Sequence, residues 1–166
     1  MLIYHPAVDH HHCCYRLIRL LNTIGKPLSE QKLMLCDFFS LFPGQMKHIH
    51  GWPRANSKSA RTIKSIPDEF EELLNTKRVF FQLKDVQKAA ISNLFAKDLL
   101  RIDSSNPIAY SLIGENVPDE IKEAINRDRF IASDPYKLIT NDLCQLELFG
   151  KNGLKNKSGL MEFLYD

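Results

Sequence analysis

The stretch Ser29-Glu-Gln-Lys-Leu-Met-Leu-Cys-Asp-Phe-Phe-Ser-Leu-Phe42 decides how this chain of 166 residues is expected to fold. Ser29 is a favoured N-cap residue and Glu30 lies in the first turn, so the stretch predicts a helix that begins here. Pro43 and Gly44 then end it. Apolar side chains lie almost all round this helix, which is typical of a helix that is buried on every side. We therefore expect it to be the centre of the fold.

Another helix is expected immediately before this central one. Asp9 can cap it, and the pattern continues to about Ile24, where Gly25 and Pro27 stop it. Apolar side chains recur at helical spacing along it, at Cys14, Leu17, Ile18 and Leu21.

Residues 44–64 read GQMKHIHGWPRANSKSARTIK and contain five cations but no acidic residue. Glycine, proline, asparagine and serine interrupt every period, so the segment predicts a long basic loop. Unopposed cations with a tryptophan suit a phosphate backbone or an acidic protein surface, although such a loop can also be merely solvated. The candidate nucleic-acid-binding or partner-binding residues are Lys47, Trp52, Arg54, Lys58, Arg61 and Lys64.

The middle of the chain predicts alternating helices and strands. Ser65–Asp68 resembles the start of a short helix that carries Phe70, Leu73 and Leu74, and residues 78–83 are strand-like. Asp85 is expected to cap a helix that ends near Lys97, with Lys84, Gln87, Lys88 and Ser92 pointing outward. Residues 99–102 and 108–113 are β-rich runs around a turn at 103–107. The order helix, helix, strand, helix, hairpin is that of a winged helix-turn-helix over about 29–113.

The last third of the chain predicts two helices and a tail. One helix runs from about Val117 to Arg129, and another begins at Asp134 and carries apolar residues as far as Phe149. The predicted fold is therefore one mainly α domain with a small β hairpin, in which a winged-helix-like core has additional N- and C-terminal helices. The tail closes on an apolar cluster, so a partner-binding role is predicted for Leu160, Met161, Phe163, Leu164 and Tyr165.

Composition and motifs favour a cytoplasmic protein without chemistry of its own. The formal net charge is only +2, no apolar run approaches the roughly 18 residues of a membrane span, and the first residues do not resemble a signal peptide. The four cysteines lack a C-x-x-C pair, which favours reduced thiols. Neither a nucleotide-binding loop nor a nucleophile elbow is found. We predict a protein that is not an enzyme and has no cofactor.

Two histidine-containing strings are candidate metal sites. His10 and Cys14 would share a helix face, and His48 and His50 have the His-x-His spacing of several metal hydrolases. The first string lacks a complete set of four ligands, and the second lies among cations that disfavour a metal ion. No metal is therefore predicted, and a small metal hydrolase is kept as an alternative.

Several short motifs resemble a known family. They are Tyr4-His-Pro-Ala7 with Asp9, Cys13 and Arg16; Leu41-Phe-Pro43 before the basic segment; and Gly153-Leu154 with Gly159-Leu-Met-Glu-Phe163 near the end. In these the chain resembles the small middle components of bacterial ABC three-component systems, including the accessory subunit of Lamassu-type defence. The resemblance implies a subunit that binds an SMC-like ATPase and an effector, often a nuclease, in defence against phage or plasmids. DNA would be contacted within that complex. A stand-alone winged-helix DNA-binding regulator is the competing function.

Overall fold

A computed structural model describes residues 6–68, 75–104 and 108–161. This part of the chain is mainly helical, with one small antiparallel sheet. The helices are α1 His10–Ile24, α2 Glu30–Leu41, α3 Lys58–Ser65, α4 Thr76–Ala96, α5 Asp119–Arg127, α6 Asp134–Lys137 and α7 Leu154–Ser158. The strands are β1 Leu28–Ser29, β2 Leu100–Asp103 and β3 Ala109–Leu112. The prediction of a mainly α fold with a small β hairpin is confirmed.

Helices α1 and α2 begin and end where their caps predict. The Asp9 carboxylate accepts a hydrogen bond of 2.8 Å from the backbone N–H of His12, and Gly25 ends α1 in the left-handed conformation, with φ of +69°. The Ser29 hydroxyl caps α2 by accepting from the N–H of Lys32. In the folded structure both helices therefore have the capping residues that the sequence predicts.

The core lies where α1 and α2 pack against α4. Eight consecutive residues of α2, numbers 33–40, are buried, which confirms that this helix is the centre of the fold. Phe38 has no exposed surface, and its ring contacts the rings of Phe39, Phe42 and Phe80 at centroid distances of 5.3, 5.3 and 5.6 Å. Seven residues of α1 are buried as well, so the core extends beyond the predicted 29–113.

A buried polar network joins the three core helices. Arg16 of α1 donates to both carboxylate oxygens of Asp37 in α2, at 2.7 and 3.1 Å. The side-chain amide of Gln87 in α4 donates to Asp37 at 2.8 Å and to the backbone carbonyl of Met34 at 3.1 Å. Asp37 and Gln87 have no exposed surface. The network therefore fixes how α1 and α4 lie against α2.

The sheet has the order β1-β3-β2, with both pairs antiparallel. The hairpin of β2 and β3 lies where the sequence predicts it, with Leu100 opposite Leu112 and Asp103 opposite Ala109. Strand β1 was not predicted, because two residues before a helix carry no periodic signal. It pairs Leu28 with Tyr110 and so ties the end of α1 to the hairpin.

The predicted strand over 78–83 is wrong. These residues belong to α4, which runs unbroken from the cap at Asn75, where the side chain accepts from the N–H of Arg78 at 2.9 Å. Asp85 consequently lies inside this helix and caps nothing. Val79, Phe80 and Phe81 favour a strand by propensity, but Phe80, Leu83 and Gln87 share the buried face of a helix. Packing against α2 outweighs local propensity.

Two further boundaries differ from the sequence prediction. The segment 44–64 is only partly a loop, since Pro43–His48 forms a 3-10 helix and α3 begins at Lys58. Ser65 ends α3 instead of starting a new helix, and Phe70, Leu73 and Leu74 lie outside the described residues. After α6 the chain continues as a π turn over Leu138–Asp142 and a 3-10 turn over Leu143–Gln145, so the helical path ends before Phe149.

Replacing Phe38 by alanine should lower the free energy of unfolding by about 3–5 kcal/mol, because the cavity would lie in the middle of the core. Phe149 is 54% exposed, and Phe149→Ala serves as the matched control with a loss below about 1 kcal/mol. Denaturant unfolding monitored by circular dichroism measures both. Equal losses for the two variants would mean that α2 is not central.

Candidate functional site

The basic segment 44–64 is held to the domain at several points. Met46 and Ile49 are buried beneath the 3-10 helix, and Ile63 is the buried residue of α3. The hydroxyl of Ser57 caps α3 by accepting from the N–H of Ala60 at 3.1 Å. The Ser59 hydroxyl donates to Asp142 at 3.2 Å, which fixes α3 beside the π turn. The segment is thus built to present one side of α3 to solvent.

The exposed side of α3 carries three cations. Lys58, Arg61 and Lys64 are each exposed and follow one another at three-residue spacing, so they lie on one face within about 9 Å along the helix axis. Arg54, also exposed, precedes the helix. No ion pair within the described ranges involves any of the four. We call these four residues, Arg54, Lys58, Arg61 and Lys64, the basic face.

Lys47 and Trp52 differ from the basic face in their surroundings. Lys47 forms an ion pair of 2.6 Å with Asp68, and this hydrogen bond holds the pKa of the Asp68 carboxyl below its ordinary value. Asp68, which lies just outside the segment 44–64, therefore balances the charge of Lys47. Trp52 is half-buried and packs against the core. Only part of its ring is available for stacking.

The tail meets the basic segment through one lysine that the sequence analysis did not single out. The backbone carbonyl of Lys157 in α7 accepts from the N–H of His50 at 2.9 Å, and its ammonium group donates to the carbonyl of Gly51 at 3.2 Å. Lys157 therefore adds a cation next to Trp52. In the sequence, only the lysine-rich composition of the tail indicated that a lysine could contribute here. Composition does not show which lysine contacts residues 50–51.

The apolar tail is partly used by its own domain. Leu154 and Leu160 are buried in the core, and the half-buried Met161 packs against it. Gly159 turns the chain between them in the left-handed conformation, with φ of +64°. Burial withdraws Leu160 from the surface, whereas a partner contact through Met161 stays a prediction. Phe163, Leu164 and Tyr165 lie outside the described residues.

The cysteine and histidine strings do not assemble into a metal centre within the described residues. The closest approach is 3.8 Å between Cys14 Sγ and His10 Nε2. Burial raises the pKa of Cys13 to about 12 and also raises the pKa of Cys14 and Cys36, so these thiols stay protonated at neutral pH. A nucleophilic cysteine needs the thiolate form. Cys13 and Cys36 are buried and pack as small core side chains.

Helix α4 does not present the face that the sequence analysis assigned to it. Gln87, expected to point outward, is fully buried in the network around Asp37. Lys84 is half-buried, with its ammonium group 5.9 Å from the centre of the Phe81 ring. Lys88 and Ser92 are exposed as predicted, but they share the surface with Asp85. This face of α4 carries little net charge.

A second polar cluster joins α1 to the C-terminal third. Arg19 is buried against the rings of Tyr15, Phe130 and Tyr136, at 5.6, 5.2 and 5.0 Å from their centres. It donates to Asp128 at 2.7 Å, and the Tyr15 hydroxyl donates to the same carboxylate oxygen at 2.8 Å. No hydrogen-bond partner for Arg19 Nε is found among the described residues, and aromatic rings surround the guanidinium group. These contacts connect α1 to the C-terminal third, and we call Tyr15, Arg19 and Asp128 the Asp128 joint.

With this geometry in view, the comparisons with known proteins decide the family. Residues 2–166 match the family model of the ABC-three component (ABC-3C) system Middle Component 5. The chain belongs to this family. The expected resemblance to a middle component is thereby confirmed over almost the whole chain, whereas the Lamassu-type detail stays a prediction. No curated protein and no solved structure matches the chain.

Membership in a middle-component family implies protein partners and is compatible with an accessory role. Among the described residues, no helix combines the length and the apolar character needed to cross a membrane. The basic face is a surface of the described residues that concentrates charge of one sign.

The joint at Asp128 predicts a specific response to acid. Burial raises the pKa of this carboxyl, but the hydrogen bonds from Arg19, Tyr15 and the N–H of Phe130 outweigh burial and hold the pKa below its ordinary value. A carboxyl whose pKa is lowered in the folded state stabilises the protein above the unfolded pKa of about 4 and loses this contribution as pH falls through the folded value. Asp128→Asn should therefore cost about 1–3 kcal/mol at pH 7.

The same substitution should make the melting temperature fall less between pH 5 and pH 2, which thermal melts at several pH values measure. Asp119→Asn is the matched control. The Asp119 side chain is 92% exposed, and its distance of 3.8 Å from Lys122 is long for an ion pair, so its removal should change the stability little. An Asp128→Asn variant that keeps the stability and the acid sensitivity of the native chain would contradict this assignment.

Proposed function

We propose that this chain is a non-enzymatic accessory subunit that links an SMC-like ABC ATPase to an effector, of nuclease type, in a complex that defends against phage or plasmids. Its basic face would hold DNA within that complex. The observation that carries the proposal is the alignment of Lys58, Arg61 and Lys64 on one exposed side of α3, next to Arg54 and with no carboxylate of the described residues paired to them.

Phosphate contact is the chemistry that best fits this face. Lysine and arginine side chains on one helix side can reach successive phosphates without reading bases, which gives binding that is independent of sequence. Four contacts alone support only weak association, of order 10⁻⁴ to 10⁻⁶ M. Such a surface becomes effective when partners supply further contacts, because their tethering raises the effective concentration of the DNA. A subunit of an assembly meets this condition.

A role without catalysis is supported by the state of the reactive side chains. Asp37 is enclosed by Arg16 and Gln87, and burial keeps the thiols of Cys13 and Cys36 protonated. An open groove of the described residues lies between the hairpin and the end of α1. Clusters of three or more histidine, cysteine, aspartate or glutamate side chains that could hold a metal ion are not found in the described part of the chain. Binding is the activity that these surfaces can supply.

A winged-helix-like arrangement forms part of the same proposal. The order α1, β1, α2, α4, β2, β3, with β3 between the other two strands, supports it when α3 is treated as an insertion before the recognition helix. The competing function, a stand-alone DNA-binding regulator, would need α4 to read bases in the major groove. Its exposed face combines Arg78 and Lys88 with Asp85, Ala89 and Ser92, so it has little positive charge. The accessory role is therefore preferred.

Replacing Arg54, Lys58, Arg61 and Lys64 together by alanine should weaken DNA binding of the assembled complex. Each phosphate contact contributes about 0.9 to the slope of log K against log salt, and we expect two or three of the four cations to engage, so the slope should fall in magnitude by about 2–3. Fluorescence anisotropy with mixed-sequence duplex DNA at several salt concentrations measures this. Size-exclusion chromatography checks that the complex remains assembled.

The control replaces two lysines and two arginines elsewhere, Lys97, Lys122, Arg127 and Arg129, which are all exposed. It removes the same charge and should leave the slope unchanged. Loss of assembly in the variant of the basic face would point to an acidic protein surface in place of DNA. An unchanged slope in an intact complex would contradict DNA contact by this face.

A further inference from the structure

Phe149 is an exposed aromatic residue in a loop that runs over residues 147–155, which we call the Phe149 loop. Its side chain is 54% exposed, although Leu148 before it and Leu154 after it are buried. A single exposed apolar side chain is common on protein surfaces and by itself indicates no function. The conformation of this loop and the charges around the ring distinguish Phe149 from such a residue.

Backbone contacts fix the conformation of the Phe149 loop. The N–H of Leu154 donates to the carbonyl of Glu147 at 2.7 Å, and the N–H of Gly153 donates to the carbonyl of Gly150 at 3.0 Å. The backbone packs so closely here that a Cβ atom on Gly153 would collide with the carbonyl oxygen of Phe149. The fold therefore holds the Phe149 ring in one place at the surface.

Two lysines accompany the ring. The ammonium group of Lys155 lies 5.8 Å from the centre of the Phe149 ring, and Lys151 is exposed. No ion pair of the described residues involves either lysine. Glu147, at the start of the loop, is its only acidic residue. An aromatic ring next to unpaired cations suits single-stranded nucleic acid, because a base can stack on the ring while the cations meet its phosphates.

A cavity of about 300 Å³ lies beside the Phe149 ring. Lys32 and Glu147 both line it, so their opposite charges balance, and the other described residues around it are uncharged. A phosphate would gain little in such a cavity. An unpaired base is uncharged and has polar edges and apolar faces, so it suits these surroundings. The charges thus favour the base beside Phe149 and leave the phosphates to Lys151 and Lys155.

Helix α7 connects the Phe149 loop to the basic segment. Lys157 follows Lys155 by two residues, and its carbonyl and ammonium groups bond to residues 50–51. Trp52 and Arg54 come directly after this contact. A DNA strand bound at the loop therefore has further cations of the basic segment beside it.

We propose that the Phe149 loop binds unpaired nucleotides of DNA, with one base stacked on Phe149 and the neighbouring phosphates at Lys151 and Lys155. This inference rests on the proposed function, because the DNA that the basic face holds would supply the unpaired strand. It adds the form of that DNA, namely a duplex that continues into a single strand.

Fluorescence anisotropy of the full chain at low salt, with oligothymidylate and with mixed-sequence duplex DNA, tests this inference. Phe149→Leu removes the aromatic ring at an exposed position and should weaken oligothymidylate binding at least fivefold, which is the loss typical of one stacked base. Duplex binding should weaken less, since paired bases are stacked on one another. Phe149→Tyr keeps the ring and should bind oligothymidylate within about twofold of the native chain. Lys155→Ala should lower the magnitude of the salt slope for oligothymidylate by about 0.7, the value for one phosphate of a single strand.

Phe81→Leu is the matched control, because this ring also has a lysine beside it. The ammonium group of Lys84 lies 5.9 Å from the centre of the Phe81 ring. Phe81 is half-buried, however, and Asp85 follows it by one turn of α4. This variant should bind oligothymidylate as the native chain does.

The outcomes separate this inference from the proposed function. If the native chain does not bind oligothymidylate, or if Phe149→Leu binds it equally well, the inference is overturned. Phe149→Leu that binds oligothymidylate normally but binds the other two components more weakly would overturn it in favour of a protein partner. The proposed function is decided separately, by the salt slope of the assembled complex with the basic face replaced.

Discussion

The Asp37 carboxylate has no exposed surface, and helices on both sides of α2 supply its donors. A buried charge is costly unless it is paired and hydrogen-bonded, and removing one partner of such a pair typically costs about 3–5 kcal/mol. Arg16 can reach Asp37 only when α1 lies in one position on α2, and the same holds for Gln87 and α4. The network therefore selects one arrangement of three helices that apolar contacts alone would allow to shift.

The position of the basic face follows from this arrangement. The basic segment begins at the end of α2 and continues through α3, so the basic face is attached to a helix that Asp37 holds. The Arg19–Asp128 joint adds the C-terminal third to α1, and Lys157 closes the path back to residues 50–51. The domain thus presents the basic face on a fixed arrangement of helices, which suits a protein that works as part of an assembly.

Local signals were sufficient for the elements that have clear caps and periods. Asp9, Gly25 and Ser29 predict the ends of α1 and α2, and alternation around a turn predicts the hairpin. The failures have a common cause in tertiary contacts. Phe80 and Phe81 have the propensity of strand residues, but Phe80 packs against Phe38 of α2 as part of a helix. Gln87 is polar and was expected at the surface, because its partner Asp37 is 50 residues away in the sequence. The basic residues were identified by composition, but their alignment on one face required the helix α3, which the glycine and proline content concealed.

Hydrogen–deuterium exchange of the chain, alone and in complex with the other two components, tests the account most directly. Amides of α1, α2 and α4 around Asp37 should exchange slowly and equally in both states, because the frame is formed before assembly. New protection should appear in α3, which carries the basic face, when DNA is added to that complex. Strong new protection throughout α2, or none in α3, would contradict an account in which a preformed core carries the basic face.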